Sequence, residues 1–109
     1  MPVFPSVLLA RYEAMSIISQ HMLEAAKQRD VDRLVELERS RRTIEDELRQ
    51  KDDVTWPAPE SLQKASLIRR ILAADAQIKT LVEPWMTELR RGLESVGIEQ
   101  KLKKAYEST

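Results

Sequence analysis

Apolar side chains recur along the first quarter of the chain in alternating steps of four and three residues. This spacing places them on one face of an α-helix, which we predict from about residue 6 to 28. A second apolar row, with Ala14, Ile18 and Ala25, widens that face. We therefore expect this helix to pack against two neighbours. The first row is Leu8, Tyr12, Met15, Ser19, Met22 and Ala26.

A second helix is predicted from about residue 30 to 50, because Asp30 is a good N-cap and an apolar stripe follows it. The opposite face carries paired charges and is typical of a solvated surface. Arg41 interrupts the stripe, so its side chain either extends past its neighbours into water or pairs with an acidic residue across the bundle. The stripe is Leu34, Leu37, Arg41, Ile44 and Leu48.

Residues 51–59 are predicted to form a proline-rich loop. Pro57 and Pro59 lack backbone donors and push the residues before them toward extended conformations, which ends the second helix. Trp56 lies in this loop. Its side chain either folds back as a cover on the end of the bundle or anchors a partner.

A third helical pattern runs from about residue 61 to 96 and contains Pro84, which predicts a kink there. Gly97 fits a left-handed C-terminal cap, after which residues 98–106 form a short fourth helix. The chain has only two glycines and 5% aromatic residues, a composition that favours helices. The predicted fold is all-α: one domain, an antiparallel bundle of three long helices plus a short C-terminal fourth helix.

The charge balance argues against nucleic acid as a direct partner. The 18 basic and 18 acidic side chains cancel, so the protein has no net field to attract DNA or RNA. No apolar stretch predicts a signal peptide or membrane insertion, and the lack of cysteine is typical of a reducing compartment. We expect a cytoplasmic protein, with monomer and homodimer both left open.

Catalytic residues are not evident in the sequence. His21 is the only histidine, and local spacing places no serine or acid beside it. The carboxylates of the second helix alternate with arginines, which does not resemble a metal or acid/base site. The two glycines do not form a phosphate-binding loop. We therefore expect a binding protein and not an enzyme, with no cofactor and no metal.

Two adjacent apolar rows follow the third helix, whereas a three-helix bundle can bury only one of them fully. The remainder would form an apolar groove for a partner helix; the alternative is a core face that is simply wide. The first row is Leu67, Ile71, Ala74, Ile78, Leu81 and Trp85. The second row, with the predicted partner-binding residues, is Ile68, Leu72, Asp75, Lys79, Val82 and Met86.

The short fourth helix is a candidate regulatory lid on this groove. Its apolar side contains Ile98, Leu102 and Tyr106, and a helix of this length must dock on something. A weakly held segment in the groove would compete with a partner helix.

Four stretches of the chain resemble the FliT family, the flagellar type III export chaperones of the filament-cap protein. The resemblance covers nearly the whole chain from Leu8 to Tyr106, with the stretches in the same order. The stretches are YEAMSIISQHMLEAAKQRDVDRLVELE, RTIEDEL, ILAADAQIKTLVEPWMTEL and KLKKAYES.

The resemblance implies a four-helix antiparallel protein that binds the C-terminal region of the cap protein before secretion. It also implies contact with the flagellar export ATPase complex and, in some bacteria, sequestration of the flagellar master transcription activator. The family's C-terminal helix regulates access, and partner contacts use the third helix. On this resemblance Ile68 and Lys79 are the first candidates for partner contact, Leu72 and Val82 support the groove, and Leu102 and Tyr106 belong to the cover.

Two features of the chain depart from the family pattern. Pro84 interrupts a helix that is expected to be continuous, and the chain ends soon after Tyr106, where some relatives have a longer tail. The alternative to a cargo chaperone is a structural coiled-coil or adaptor protein of the export machinery without dedicated cargo. Tyr12, Ser19 and Ala26 are poor residues for a long two-stranded seam, which disfavours this alternative.

Overall fold

The computed structural model describes residues 4–92, 101 and 103–106. Within these residues the chain is all-α and contains no strand. Helix α1 spans Pro5–Lys27, α2 spans Val31–Lys51 and α3 spans Ala58–Arg90. A short C-terminal helix follows, of which Lys101 and residues 103–106 are described. The predicted fold class is confirmed.

Helix α1 is the centre of the bundle. It packs against α2 on one side and α3 on the other, while no Cα atom of residues 31–51 lies within 8 Å of one in residues 58–90. Asp30 caps α2 by accepting a hydrogen bond from the backbone of Arg33 at 3.2 Å. The wide apolar face predicted for α1 explains this arrangement, because two neighbours need two adjacent rows of apolar side chains.

The buried side chains form two clusters along the bundle. One cluster contains Met22, Leu34, Ile78 and Trp85, and partly buried Tyr106 packs against it. The other cluster lies toward the opposite end and contains Leu8, Met15, Leu48 and Ile71. Trp56 from the α2–α3 loop packs against this second cluster, as expected for a residue that covers the end of the bundle.

The bounds of α3 differ from the prediction at both ends. The helix begins at Ala58 and not near residue 61, because Pro59 lies in the first turn, where a helix needs no N–H donor. It ends at Arg90 and not near residue 96. Gly92 adopts a left-handed conformation with φ 77°, and its N–H donates to the carbonyl of Leu89. Such a glycine ends a helix.

The predicted cap at Gly97 and residues 93–96 lie outside the described residues. The loop between α2 and α3 is correspondingly shorter than predicted and spans residues 52–57. Helix α3 continues through Pro84, which is exposed together with Thr80, so water can bind the Thr80 carbonyl that proline leaves without a donor. The kink near Pro84 stays a prediction.

Candidate partner-binding groove

A groove runs between α2 and α3, because these two helices flank α1 without close approach of their backbones. It has two parts, which share Glu45, Arg49 and Asp75 in their walls. The part of about 1000 Å³ also contacts Ala105 and Tyr106 of the C-terminal helix, and we call it the covered groove. The part of about 560 Å³ reaches Ile68 and Leu72, and we call it the open groove.

Arg41 joins all three long helices at the boundary between the two parts. Its guanidinium donates hydrogen bonds to the hydroxyl of Ser19 at 3.0 Å and to the carboxylate of Asp75 at 2.6 Å. A further ion pair reaches Glu45 at 3.3 Å on the same helix. The Arg41 side chain is 11% exposed. Of the two interpretations of Arg41, pairing across the bundle is therefore the one observed.

The covered groove is closed on one side by the C-terminal helix. Ala105 is buried, and Tyr106 is half-buried against the core. Burial raises the pKa of the Tyr106 hydroxyl; the charge of Arg41 lowers it, and those of Glu38 and Asp75 raise it. That hydroxyl is buried and has no hydrogen-bond partner among the described residues. The Tyr106 ring therefore occupies the groove through apolar packing, and its hydroxyl makes no hydrogen bond to the described residues.

An exposed ion pair holds the C-terminal helix at its other described end. The ammonium of Lys101 lies 2.6 Å from the carboxylate of Asp32, at the start of α2. Both side chains are more than half exposed, so solvent and salt screen this contact. The contacts of this helix thus include a buried apolar contact and an exposed ion pair.

The open groove ends at a polar cluster that surrounds the Asp52 carboxylate. One oxygen accepts hydrogen bonds from the Tyr12 hydroxyl and the Lys64 ammonium, both at 2.5 Å. The other oxygen accepts from the indole N–H of Trp56 at 2.7 Å. We call these four residues the Asp52 cluster; they come from α1, the end of α2, the α2–α3 loop and α3.

The predicted partner-binding residues do not share one environment. Leu72 is 61% exposed and Ile68 is partly exposed, and both line the open groove. Asp75 lies at the boundary and is engaged by Arg41. Lys79 is exposed, with Glu83 at 3.9 Å. Val82 is only 4% exposed, belongs to the core cluster and lines the covered groove, on which the C-terminal helix also lies.

For the predicted lid, the described residues include only part of the apolar side. Tyr106 lies in the covered groove, whereas Ile98 and Leu102 lie outside the described residues. The lid function stays a prediction for all three.

Sequence reasoning missed the Asp52 cluster. Asp52 and Asp53 follow the last charged turn of α2, where acidic side chains are ordinarily solvated. The partners of Asp52 lie 40, 4 and 12 residues away in the chain. Only the aromatic residue Trp56 in the proline-rich loop indicated that side chains pack together at this end of the bundle.

The fold and the groove define the class: a small all-α bundle with a groove between its second and third helices. A family model described as flagellar protein FliT matches residues 9–108. The chain belongs to the FliT family, a family of flagellar chaperones. Comparison with curated proteins and with solved structures finds no match. Among the described residues, no helix is both long and apolar enough to span a bilayer.

Proposed function

We propose that this protein is a flagellar export chaperone that binds the C-terminal region of the filament-cap protein in the cytoplasm. It keeps that protein unassembled and delivers it to the type III export apparatus, with the export ATPase complex as a further partner. Membership of the FliT family supports the role. The observation that carries the proposal is the apolar strip of Ile68 and Leu72 beside the open groove.

An amphipathic helix of the cargo is the expected occupant of the open groove. Such helices bind by placing apolar side chains, three or four residues apart, into a groove between two helices. Leu72 offers an exposed apolar side chain for this contact. The charges that line the open groove are already paired within the chain, for example Asp75 with Arg41 and Asp52 with Lys64. Apolar contact would therefore supply most of the affinity, and charges would set the register.

The C-terminal helix regulates this binding as a lid. It occupies the covered groove through Ala105 and Tyr106, where a longer partner helix would otherwise extend. The unsatisfied Tyr106 hydroxyl and the exposed Lys101–Asp32 ion pair favour a weakly held lid. A lid that is closed for most of the time multiplies the apparent affinity by the small fraction of time that it is open. Deletion of residues 98–109 should therefore tighten cargo binding.

The direct test is calorimetric titration of the purified chain with a peptide of the cap protein's C-terminal region. We expect Ile68→Ala and Lys79→Glu to weaken binding. Ile17→Ala is the matched control, because Ile17 is exposed on α1 and lines neither part of the groove. Wild-type affinity in both groove variants would falsify the assigned surface, and unchanged affinity after deletion of residues 98–109 would contradict the lid.

Sequestration of the flagellar master transcription activator is a second role that family membership suggests. It predicts that the protein releases the activator from DNA in a gel-shift assay and does not appear in the retained complex. A slower-migrating ternary complex would contradict this role. The adaptor alternative without cargo predicts no peptide binding and a rod-shaped obligate dimer, which light scattering distinguishes from a compact chaperone.

A further inference from the structure

The first thirteen residues of α3, which include Ile68 of the partner-binding strip, have no buried side chain in the core. None of residues 58–70 is buried, whereas residues 71–90 contribute seven buried side chains. Ile68 belongs to the first part, and Leu72 lies just after it. Apolar packing therefore determines the position of the second half of α3 and leaves the first half less constrained.

Other constraints on this first half are also weak. Helix α3 starts from an extended Pro57, and no side chain caps its N-terminus. The backbones of α2 and α3 do not approach each other closely: no Cα atom of one lies within 8 Å of a Cα atom of the other. Packing on α1 places both helices, and direct links between the side chains of α2 and α3 further constrain the width of the open groove. Arg41–Asp75 supplies such a link at the boundary of the open groove, and Asp52–Lys64 supplies one at its far end.

Asp52 is well placed to act as an anchor. Its side chain is 7% exposed and accepts three hydrogen bonds, two of them from groups outside α3. Its backbone N–H donates to the carbonyl of Leu48 and so continues α2. A carboxylate held from several directions at the end of one helix offers a fixed point for a cation on another.

Lys64 of α3 is the cation that Asp52 holds in place. Its ammonium lies 4.6 Å from the ring centre of Trp56 and 5.2 Å from that of Tyr12, in addition to its ion pair with Asp52. The two rings meet edge to face, with centres 6.0 Å apart. Two cation–π contacts and a salt bridge together restrict the ammonium to one position.

The position of Lys64 sets the direction of the residues that follow it. Residues four apart lie on the same side of a helix, so Lys64, Ile68 and Leu72 form one row along α3. A rotation of α3 about its axis would move all three together. With Lys64 fixed, the apolar side chains one and two turns later are directed along the groove.

We propose that Asp52 is a positioning residue: through Lys64 it fixes the rotation and distance of the first half of α3 and so presents Ile68 and Leu72 to a partner helix. The part that concerns the partner rests on the proposed function. The part that concerns the geometry of α3 does not. A residue that merely stabilised the fold would change the unfolding midpoint and leave the native arrangement of α2 and α3 as it is.

Spin-label distance measurements test the geometry without any partner. The chain has no cysteine, so cysteines introduced at the exposed positions Gln50 and Gln63 carry the only two labels. We expect a narrow distance distribution in the wild-type background and in Lys64→Arg. Asp52→Asn and Lys64→Met should broaden the distribution or shift its mean.

Asp53→Asn is the matched control, because Asp53 is the adjacent acid and is exposed. Each variant is measured at a temperature where circular dichroism shows native helicity, and Lys64→Met tests the proposal even if Asp52→Asn does not fold. Distributions in Lys64→Met that equal those of the wild type would overturn the proposal. Altered distance distributions in Lys64→Met support the proposal, whether or not the wild type binds the peptide. If the wild type does not bind the peptide, only the proposed function is contradicted.

Discussion

The two parts of α3, residues 58–70 and residues 71–90, are both helical but differ in how much of their apolar surface is buried. Residues 71–90 bury Ile78, Trp85 and five other side chains and form much of the core. Residues 58–70 bury none and leave Leu62 and part of Ile68 in contact with solvent. The packed half stabilises the fold, and the other half keeps apolar surface available to another protein. Binding surface in this fold is thus created where the core ends.

Where the apolar core ends, polar side chains connect the helices. Arg41 connects α2 to the packed half at Asp75, and the Asp52 cluster connects α2 to the other half at Lys64. Hydrogen-bonded ion pairs are directional, so they can fix a helix in place without covering its apolar face. A hydrophobic contact at the same points would have buried part of the groove.

The strongest test of this difference compares apolar truncations in the two halves. Ile78 is 1% exposed, so Ile78→Ala should lower the free energy of unfolding by about 2–5 kcal/mol. Leu62 is 71% exposed, and Leu62→Ala should change the same quantity by about 0.5 kcal/mol or less. Urea denaturation followed by circular dichroism measures both. Equal losses would show that the first half of α3 contributes to the core after all.

Removal of Arg41 should have the next largest effect. Arg41→Met keeps the apolar stem but removes the cation that pairs with Asp75 and the donor to the Ser19 hydroxyl, which should cost about 2–3 kcal/mol. Arg49→Met is the matched control, because Arg49 is mostly exposed and its Asp46 ion pair contributes at most about 1 kcal/mol. The same denaturation experiment applies. A loss in Arg41→Met no greater than in the control would show that Arg41 does not join the helices.

Asp52 should make the stability of the protein depend on pH. Burial alone would raise the pKa of this carboxyl, but hydrogen bonds from Lys64, Tyr12 and Trp56, with the charge of Lys64, lower it below its usual value. A carboxyl with a lowered folded-state pKa stabilises the fold at neutral pH. That stabilisation is lost as the pH falls below about 4, where the unfolded chain takes up the proton first.

Asp52→Asn removes this contribution, so we expect a cost of about 1–2 kcal/mol at pH 7 and a smaller difference from the wild type at pH 2–3. Other carboxylates titrate in both proteins, and comparison with Asp53→Asn cancels their effect. Thermal unfolding over this pH range is the measurement. A difference between wild type and Asp52→Asn that stays constant with pH would exclude a charged role for Asp52.

The three long helices could be predicted from the sequence because each repeats its apolar residues every three or four positions. The end of α3 was wrong, since two glycines, Gly92 and Gly97, stand near it and periodicity alone does not choose between them. Arg41 could be singled out because it interrupts an apolar stripe. The carboxylate of Asp52 could not, because its environment forms only when α1, the loop and α3 meet.

The smallest effect on stability should accompany the largest effect on binding. Leu72 is exposed on the row that Lys64 orients, so Leu72→Ser should change the free energy of unfolding by less than about 0.5 kcal/mol. The same change removes an apolar contact from the proposed partner surface and should weaken cap-peptide binding by about tenfold or more in calorimetric titration. Ile17→Ser, on the exposed face of α1, should leave both quantities unchanged. If Leu72→Ser instead destabilised the fold and bound peptide normally, the exposed Leu72 surface of α3 would be structural and the partner would bind elsewhere.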